Sequence, residues 1–156
     1  MSSGVGAMLR AYWLSKQREG ALPKRQDIDP GEIRGLLPDL ALVESLEGGR
    51  YFRFRLIGTS AERCLGHIAM RRTFDGDSER GRYRDLVAFL RRAGNTCDCL
   101  ETRIPNFGDN AVYEAIEATV APLVDQDGQP VRFLIAMEFV ISASAAIEAR
   151  ARRMER

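Results

Sequence analysis

The sequence predicts one α+β domain: a five-stranded antiparallel sheet with helices covering one face and an N-terminal helical extension. Two observations carry that prediction. Strand-like alternation comes as a group of two segments and a group of three, with a helical stretch between them. Each segment is bounded by turn residues: Glu47-Gly48-Gly49, Gly58 and Asp127-Gly128. The extension covers residues 1–39, the sheet-bearing core 40–141, and a C-terminal tail 142–156.

The chain begins with an amphipathic pattern. Val5, Met8, Leu9, Tyr12 and Trp13 fall on one helical face, and Lys16, Arg18 and Glu19 follow on the polar side. Gly20 and Pro23 end the helix. Asp29, Pro30 and Glu32 then form a helix-start signature. Asp29 caps, Pro30 takes the first helical position, and Glu32 reaches back to the cap. Ile33, Leu36 and Leu37 are the apolar positions of this short helix, and Pro38 closes it.

Residues 40–46 (LALVESL) read as the first strand. Glu47-Gly48-Gly49 turns the chain into a second, 51–57, so the two form a hairpin. In this second strand Phe52, Phe54 and Leu56 face one way, and Tyr51, Arg53, Arg55 and Ile57 the other. Gly58 stops the strand, Thr59 or Ser60 caps a short helix, and Gly66 ends it. The stretch from His67 to Arg80 is irregular and polar. Ser78 caps a longer helix with Tyr83, Leu86, Val87 and Leu90 buried and Arg80, Arg84, Arg91 and Arg92 wet; Gly94-Asn95 closes it.

Three strands follow. The first, 96–104, places Leu100, Thr102 and Ile104 on one face, and Asn106 to Asn110 is a loop. The second, 112–123, places Val112, Ile116, Ala118 and Val120 in one row. The third, 131–141, is the strongest. Val131, Phe133, Ile135, Met137 and Phe139 line one face, and Leu134, Ala136 and Val140 make the other largely apolar too. The tail turns helical with only Ile147 and Met154 as large apolar positions, so it frays or depends on a partner.

Size and composition bound the function. The chain has 156 residues, 45% hydrophobic and 29% charged. A chain of this length buries about 70% of its unfolded surface and needs no staples. The 23 Lys and Arg almost balance the 22 Asp and Glu. Nucleic-acid binding draws on a basic surplus, which is absent here. No apolar run approaches the ~20 residues that span a bilayer. The first ten residues lack the pattern of a secretion signal. Cys64, Cys97 and Cys99 fit a reducing compartment, so the expected location is cytoplasmic.

Chemistry-bearing constellations are scarce. His67 is the single histidine. A zinc site wants four ligands or three plus water, and only the three cysteines stand as companions. Cys97 and Cys99 are read on one strand face, about 6.6 Å apart and too parallel for a mutual disulfide. No phosphate-binding glycine loop, zinc-protease motif or nucleophile elbow appears. Glu114, Glu117 and Glu138 sit at alternating strand positions that face solvent. The sequence assigns no catalytic residue and no metal ligand, and it names no cofactor.

Several of these residues together carry a family resemblance. They are Tyr12-Trp13, the entry LPKRQDIDP over 22–30, Ile33, Leu37-Pro38, RLIGT over 55–59, Leu65-Gly66, and Ala121-Pro122-Leu123 before the Asp-Gly turn. In these residues the chain resembles the PAS superfamily over roughly residues 8–140, closest to a bacterial PAS-like family first catalogued as a domain of unknown function. The resemblance implies a PAS-like five-stranded sheet with helices between its second and third strands. It also implies sensing, ligand binding or protein contact, usually without catalysis.

The resulting expectation is a non-catalytic sensory or regulatory domain in signal transduction, acting through protein contacts and open to gating by a small apolar ligand. Phe52, Phe54, Leu56, Leu86, Leu90, Phe133, Ile135 and Met137 either line a core pocket for that ligand or fill the core. The alternative is a small enzyme, or a haem- or metal-binding sensor, using the same pocket. Val5, Met8, Leu9, Tyr12 and Trp13 dock either on their own sheet or on a second copy. The expected partners are a second copy, giving a homodimer, and a signalling protein; no nucleic acid and no membrane span is expected.

Overall fold

The computed structural model describes residues 4–65, 72–105, 113–141 and 143–155, without the side chains of 64, 113 and 143–146. The elements run α1 (Gly4–Ser15), β1 (Leu40–Leu46), β2 (Tyr51–Ile57), α2 (Thr59–Leu65), β3 (Thr73–Phe74), the one-turn α3 (Ser78–Gly81), α4 (Arg84–Thr96), β4 (Leu100–Pro105), β5 (Tyr113–Val124), β6 (Pro130–Ile141) and α5 (Ala143–Met154). Between α1 and β1 the chain makes 3-10 turns at Arg25–Asp27, Pro30–Ile33 and Leu37–Asp39. The strands form one antiparallel sheet in the order β3-β2-β1-β6-β5-β4. The expected five strands are all present. The sixth, β3, is two residues long, too short for alternation to reveal it; it pairs Phe74 with Phe52 and Thr73 with Arg53.

Strand β6 lies at the centre, between β1 and β5, and its two apolar faces sort the molecule into two cores. Phe133, Ile135 and Met137 join Ala41 and Val43 of β1, Ile116, Ala118 and Val120 of β5, and the buried face of α4. Leu134 and Ala136 join Leu40, Leu42, Ala121 and Leu123 with Leu9 and Trp13 of α1. Helices therefore cover both faces, where the sequence led us to expect one. The N-terminal segment supplies the second cover, with α1 packed across β5 and β6.

That packing fixes the fate of the five residues expected at a dimer interface. Leu9 and Trp13 are fully buried within their own chain, and the Trp13 Nε1–H donates to the Pro122 carbonyl at 2.8 Å. They are not available to a second copy, which corrects the interface role read for them. A short helix gains more by covering an apolar sheet face already beside it than by waiting for a partner. Val5 and Tyr12 are half-buried against the same core. Met8 alone of the five faces outward, 58% exposed.

A bulge explains the largest error in strand facing. Leu42 pairs with Leu56 and Val43 with Phe54, so Arg55 is an extra residue in β2. One inserted residue reverses the facing of everything beyond it. Phe52 and Phe54 face the α4 side as expected. Leu56 faces the opposite side and is 58% exposed, and Ile57 turns in to pack on the α4 core. Leu56 is thus removed from the expected core pocket.

Two glycines permit close approaches. A Cβ on Gly58 would meet the Leu37 carbonyl oxygen at 2.1 Å and the Pro38 oxygen at 2.4 Å, so the end of β2 runs tight against the Leu37–Asp39 turn. A Cβ on Gly94 would lie 3.4 Å from the Phe133 ring. Its absence brings α4 down onto β6, and the helix continues through Gly94 and Asn95 to Thr96 rather than stopping there. Cys97 then caps α4 in the left-handed region, φ 52°. The following strand begins at Leu100, so Cys97 and Cys99 do not share a strand face; Cys97 is exposed and Cys99 buried in the α1-side core. The long helix also starts later than expected, at Arg84, because Glu79 and Arg80 have positive φ and break the turn begun at Ser78. Gly66, His67, Asn106 to Asn110 and Val112 lie outside the described residues.

Replacing Phe133 with Ala empties the centre of the α4-side core and is expected to cost about 3–5 kcal/mol in urea unfolding. Gly58→Ala forces backbone against backbone and is expected to cost at least about 2 kcal/mol. A loss under about 0.5 kcal/mol at Gly58 contradicts the close approach.

Candidate functional site

The space between the sheet and α4 is where a core ligand would sit. Seven of the eight candidate pocket residues (Phe52, Phe54, Leu86, Leu90, Phe133, Ile135 and Met137) are at most 2% exposed and pack in one cluster. Aromatic rings occupy the middle. Phe54 stacks on Phe74 at 5.3 Å, Phe74 meets Tyr83 at 4.6 Å, and Phe52 lies 6.2 Å from Phe74 and 6.3 Å from Phe133. Such offset and tilted pairs contribute beyond their burial. Phe74 is a core residue that sequence reading missed, because it stands in a polar stretch and its strand is two residues long.

Three open volumes formed by described residues adjoin the cores. A cavity of about 180 Å³ lies at the β3 end, with Phe54, Phe74 and Tyr83 on one side and Arg72, Thr73, Ser78 and Glu79 on the other. Its wall is a turn in which the Asp75 carboxylate accepts from the Asp77 and Ser78 amides at 2.9 and 3.1 Å. These bonds, the Asp77 amide first, hold the Asp75 carboxyl below its ordinary pKa. A broad trough of about 660 Å³ runs between the β1–β2 turn, the end of α4 and the start of β6, reaching Phe52, Leu90 and Phe133 at its floor. The third volume, about 220 Å³, is on the opposite face. It is a cleft between the 3-10 turns and the sheet, walled by Ile28, Pro30, Ile33 and Leu37 and floored by Leu40, Leu42, Leu56 and Leu134, with Arg25 at its edge.

The cleft's wall is tied to α1. The Tyr12 hydroxyl donates to Glu32 Oε1 at 2.9 Å and accepts the Asp29 amide at 2.9 Å, while Lys16 Nζ lies 2.8 Å from the same Glu32 oxygen. Glu32 therefore serves this tether instead of reaching back to cap its own turn; Asp29 does cap, accepting from the Gly31 amide. Hydrogen bonds from Lys16 and Tyr12 hold the Glu32 carboxyl below its ordinary pKa. The Glu32 bond raises that of Lys16. Burial, with Glu32's bond, raises that of Tyr12.

The PAS-domain family model matches residues 1–138. The chain is a PAS domain. Similar solved structures include a fungal LOV-domain photoreceptor, at 16% identity and TM-score 0.46, with 88% of this chain and 95% of that one covered. Another is a sensory box histidine kinase/response regulator from Burkholderia thailandensis E264, at 14% identity and TM-score 0.42, covering 81% and 97%. No curated protein matches. Membership places the domain in the sensory class, and PAS domains are generally not catalysts.

Among the described residues of this PAS domain, little else is arranged for chemistry. Among the described residues no three His, Cys, Asp or Glu side chains are grouped to hold a metal ion, and His67 lies outside them. No described helix is long and apolar enough to cross a membrane. Burial pushes the Cys99 thiol up to about 11, so it stays protonated at neutral pH. Glu114 is exposed, whereas Glu138 accepts the Val5 amide at 2.9 Å and so holds the start of α1.

The tether has a pH signature. A depressed carboxyl contributes stability that is present above its ordinary value of 4.5 and is lost as pH falls through the lower folded value. The melting temperature of wild type should exceed that of Glu32→Gln at neutral pH, and the gap should close as pH falls below 4.5. A gap that persists unchanged in acid contradicts the tether. Peptide-resolved iodoacetamide labelling near neutral pH should modify Cys97 and leave Cys99 intact in the native protein; equal labelling of both would place Cys99 at the surface.

Proposed function

We propose that this PAS domain is a non-catalytic regulatory module that works through protein contacts, and that one partner is a second copy of itself joined through α5. The observation that carries this is the helix's uncovered stripe. Ile147, Ala151 and Met154 fall at i, i+4 and i+7, and Ile147 and Met154 are 68% and 80% exposed. A 12-residue helix is marginal on its own, so it gains its stability by packing. The same helix carries both signs of charge, with Glu148 3.7 Å from Arg152.

The interior supports this reading. Most of the expected core-ligand residues pack against one another and against Phe74, which fills the middle of that core with side chains. Contact surfaces outside the core give such a module a way to transmit state.

Light scattering tests the proposal. Wild type at about 50 μM should be a dimer. Ile147→Glu combined with Met154→Glu should be monomeric with an unchanged melting profile for the sheet. A monomeric wild type at about 100 μM overturns self-association.

A further inference from the structure

We infer that the cleft between the 3-10 turns and the outer sheet face is a binding site for a small aliphatic carboxylate, a chain of about eight to ten carbons with one acidic end. Its walls are apolar. Ile28, Ile33, Leu40, Leu42 and Leu134 are all buried to within 7% exposure, while Leu56 stands at the open side. The shape is a recessed slot with one wet side, which suits a narrow chain better than a flat protein surface. Its volume, about 220 Å³, exceeds that of a cavity known to admit benzene (about 150 Å³) and falls short of drug-sized pockets.

Charge selects the acidic end. Arg25 edges the slot and donates a long 3.4 Å bond to the Ile28 carbonyl; among the described residues no carboxylate pairs with it. Two residue pairs along the sheet from Leu42–Leu134, on the same face, stands Glu44–Arg132, with Arg53 opposite Glu44 on the other side. Strand geometry puts that charged row about 7 Å from the apolar one. Glu44 pairs closely with Arg53, and Arg55 lies 3.9 Å away. Among the described residues Arg25 is thus the one charged side chain that lines the slot, and the Arg53, Arg55 and Glu44 cluster lies beyond its apolar floor. A carboxylate bound at this edge meets the Arg25 guanidinium without displacing an existing close pair. An ammonium group in the same place meets repulsion.

Occupancy would be felt in α1. The wall residues Ile28 and Ile33 sit either side of Asp29 and Glu32, which hold Tyr12, and Trp13 shares their core. The site is independent of self-association through α5.

Titration of the full chain with octanoate, followed by calorimetry and by amide chemical shifts, tests the inference. The expected result is saturable binding below about 1 mM, with shifts centred on Ile28, Leu42, Leu56 and Leu134. Octylammonium should bind at least about tenfold more weakly. Arg25→Gln should weaken octanoate about tenfold with the fold unchanged, and Leu56→Asp, at an exposed position, should abolish it. No saturation by about 5 mM overturns the inference. So do equal affinities for the acid and the amine, or shifts centred on Phe74 and Tyr83.

Discussion

Strand β6 presents Phe133, Ile135 and Met137 to one side and Leu134 and Ala136 to the other, and a sheet built around it must be covered twice. An apolar sheet face left in water forfeits roughly 25 cal/mol for each Å² it exposes. The α4 side meets this demand through a helix that a missing side chain at Gly94 lets settle onto Phe133. Among the described residues the other side has no helix from the middle of the chain to use. It recruits the N-terminus, and the burial of Leu9 and Trp13 there makes α1 part of the domain's core.

Function follows from how those two demands are met. The middle of the α4-side core is filled by packed aromatic rings. The α1-side cover is made of short turns rather than continuous helix, and turns do not seal a flat surface. The cleft over Leu40, Leu42 and Leu134 is the gap that results. Tyr12 and Lys16 both hold Glu32, so three polar contacts tie the cleft's wall to the N-terminal segment.

Much of the fold was legible. Unbroken apolar rows mark β6, Gly48-Gly49 and Asp127-Gly128 mark the turns, and the residues from Tyr12 to Thr59 mark the family. The parts that were not legible depend on facts outside local pattern. The bulge at Arg55 leaves no trace in the alternation of β2, so Leu56 was assigned to the wrong face. The stripe of α1 is equally suited to a sheet or a partner, and only the second apolar face of β6 decides between them. Phe74 gains its place through pairing with Phe52, 22 positions earlier, which periodicity does not report. The outer cleft is assembled from β1, β2, β6 and three turns, and no single stretch of sequence announces it.

The central claim is that the N-terminal helix is core rather than appendage, and Trp13 tests it most directly. It is 1% exposed, touches the outer sheet face and donates to Pro122. Equilibrium urea unfolding of Trp13→Ala, followed by circular dichroism, should show a loss of about 3–5 kcal/mol in one cooperative transition. A loss below about 1 kcal/mol, with the sheet's transition unmoved, would mean that the sheet stands without its second cover.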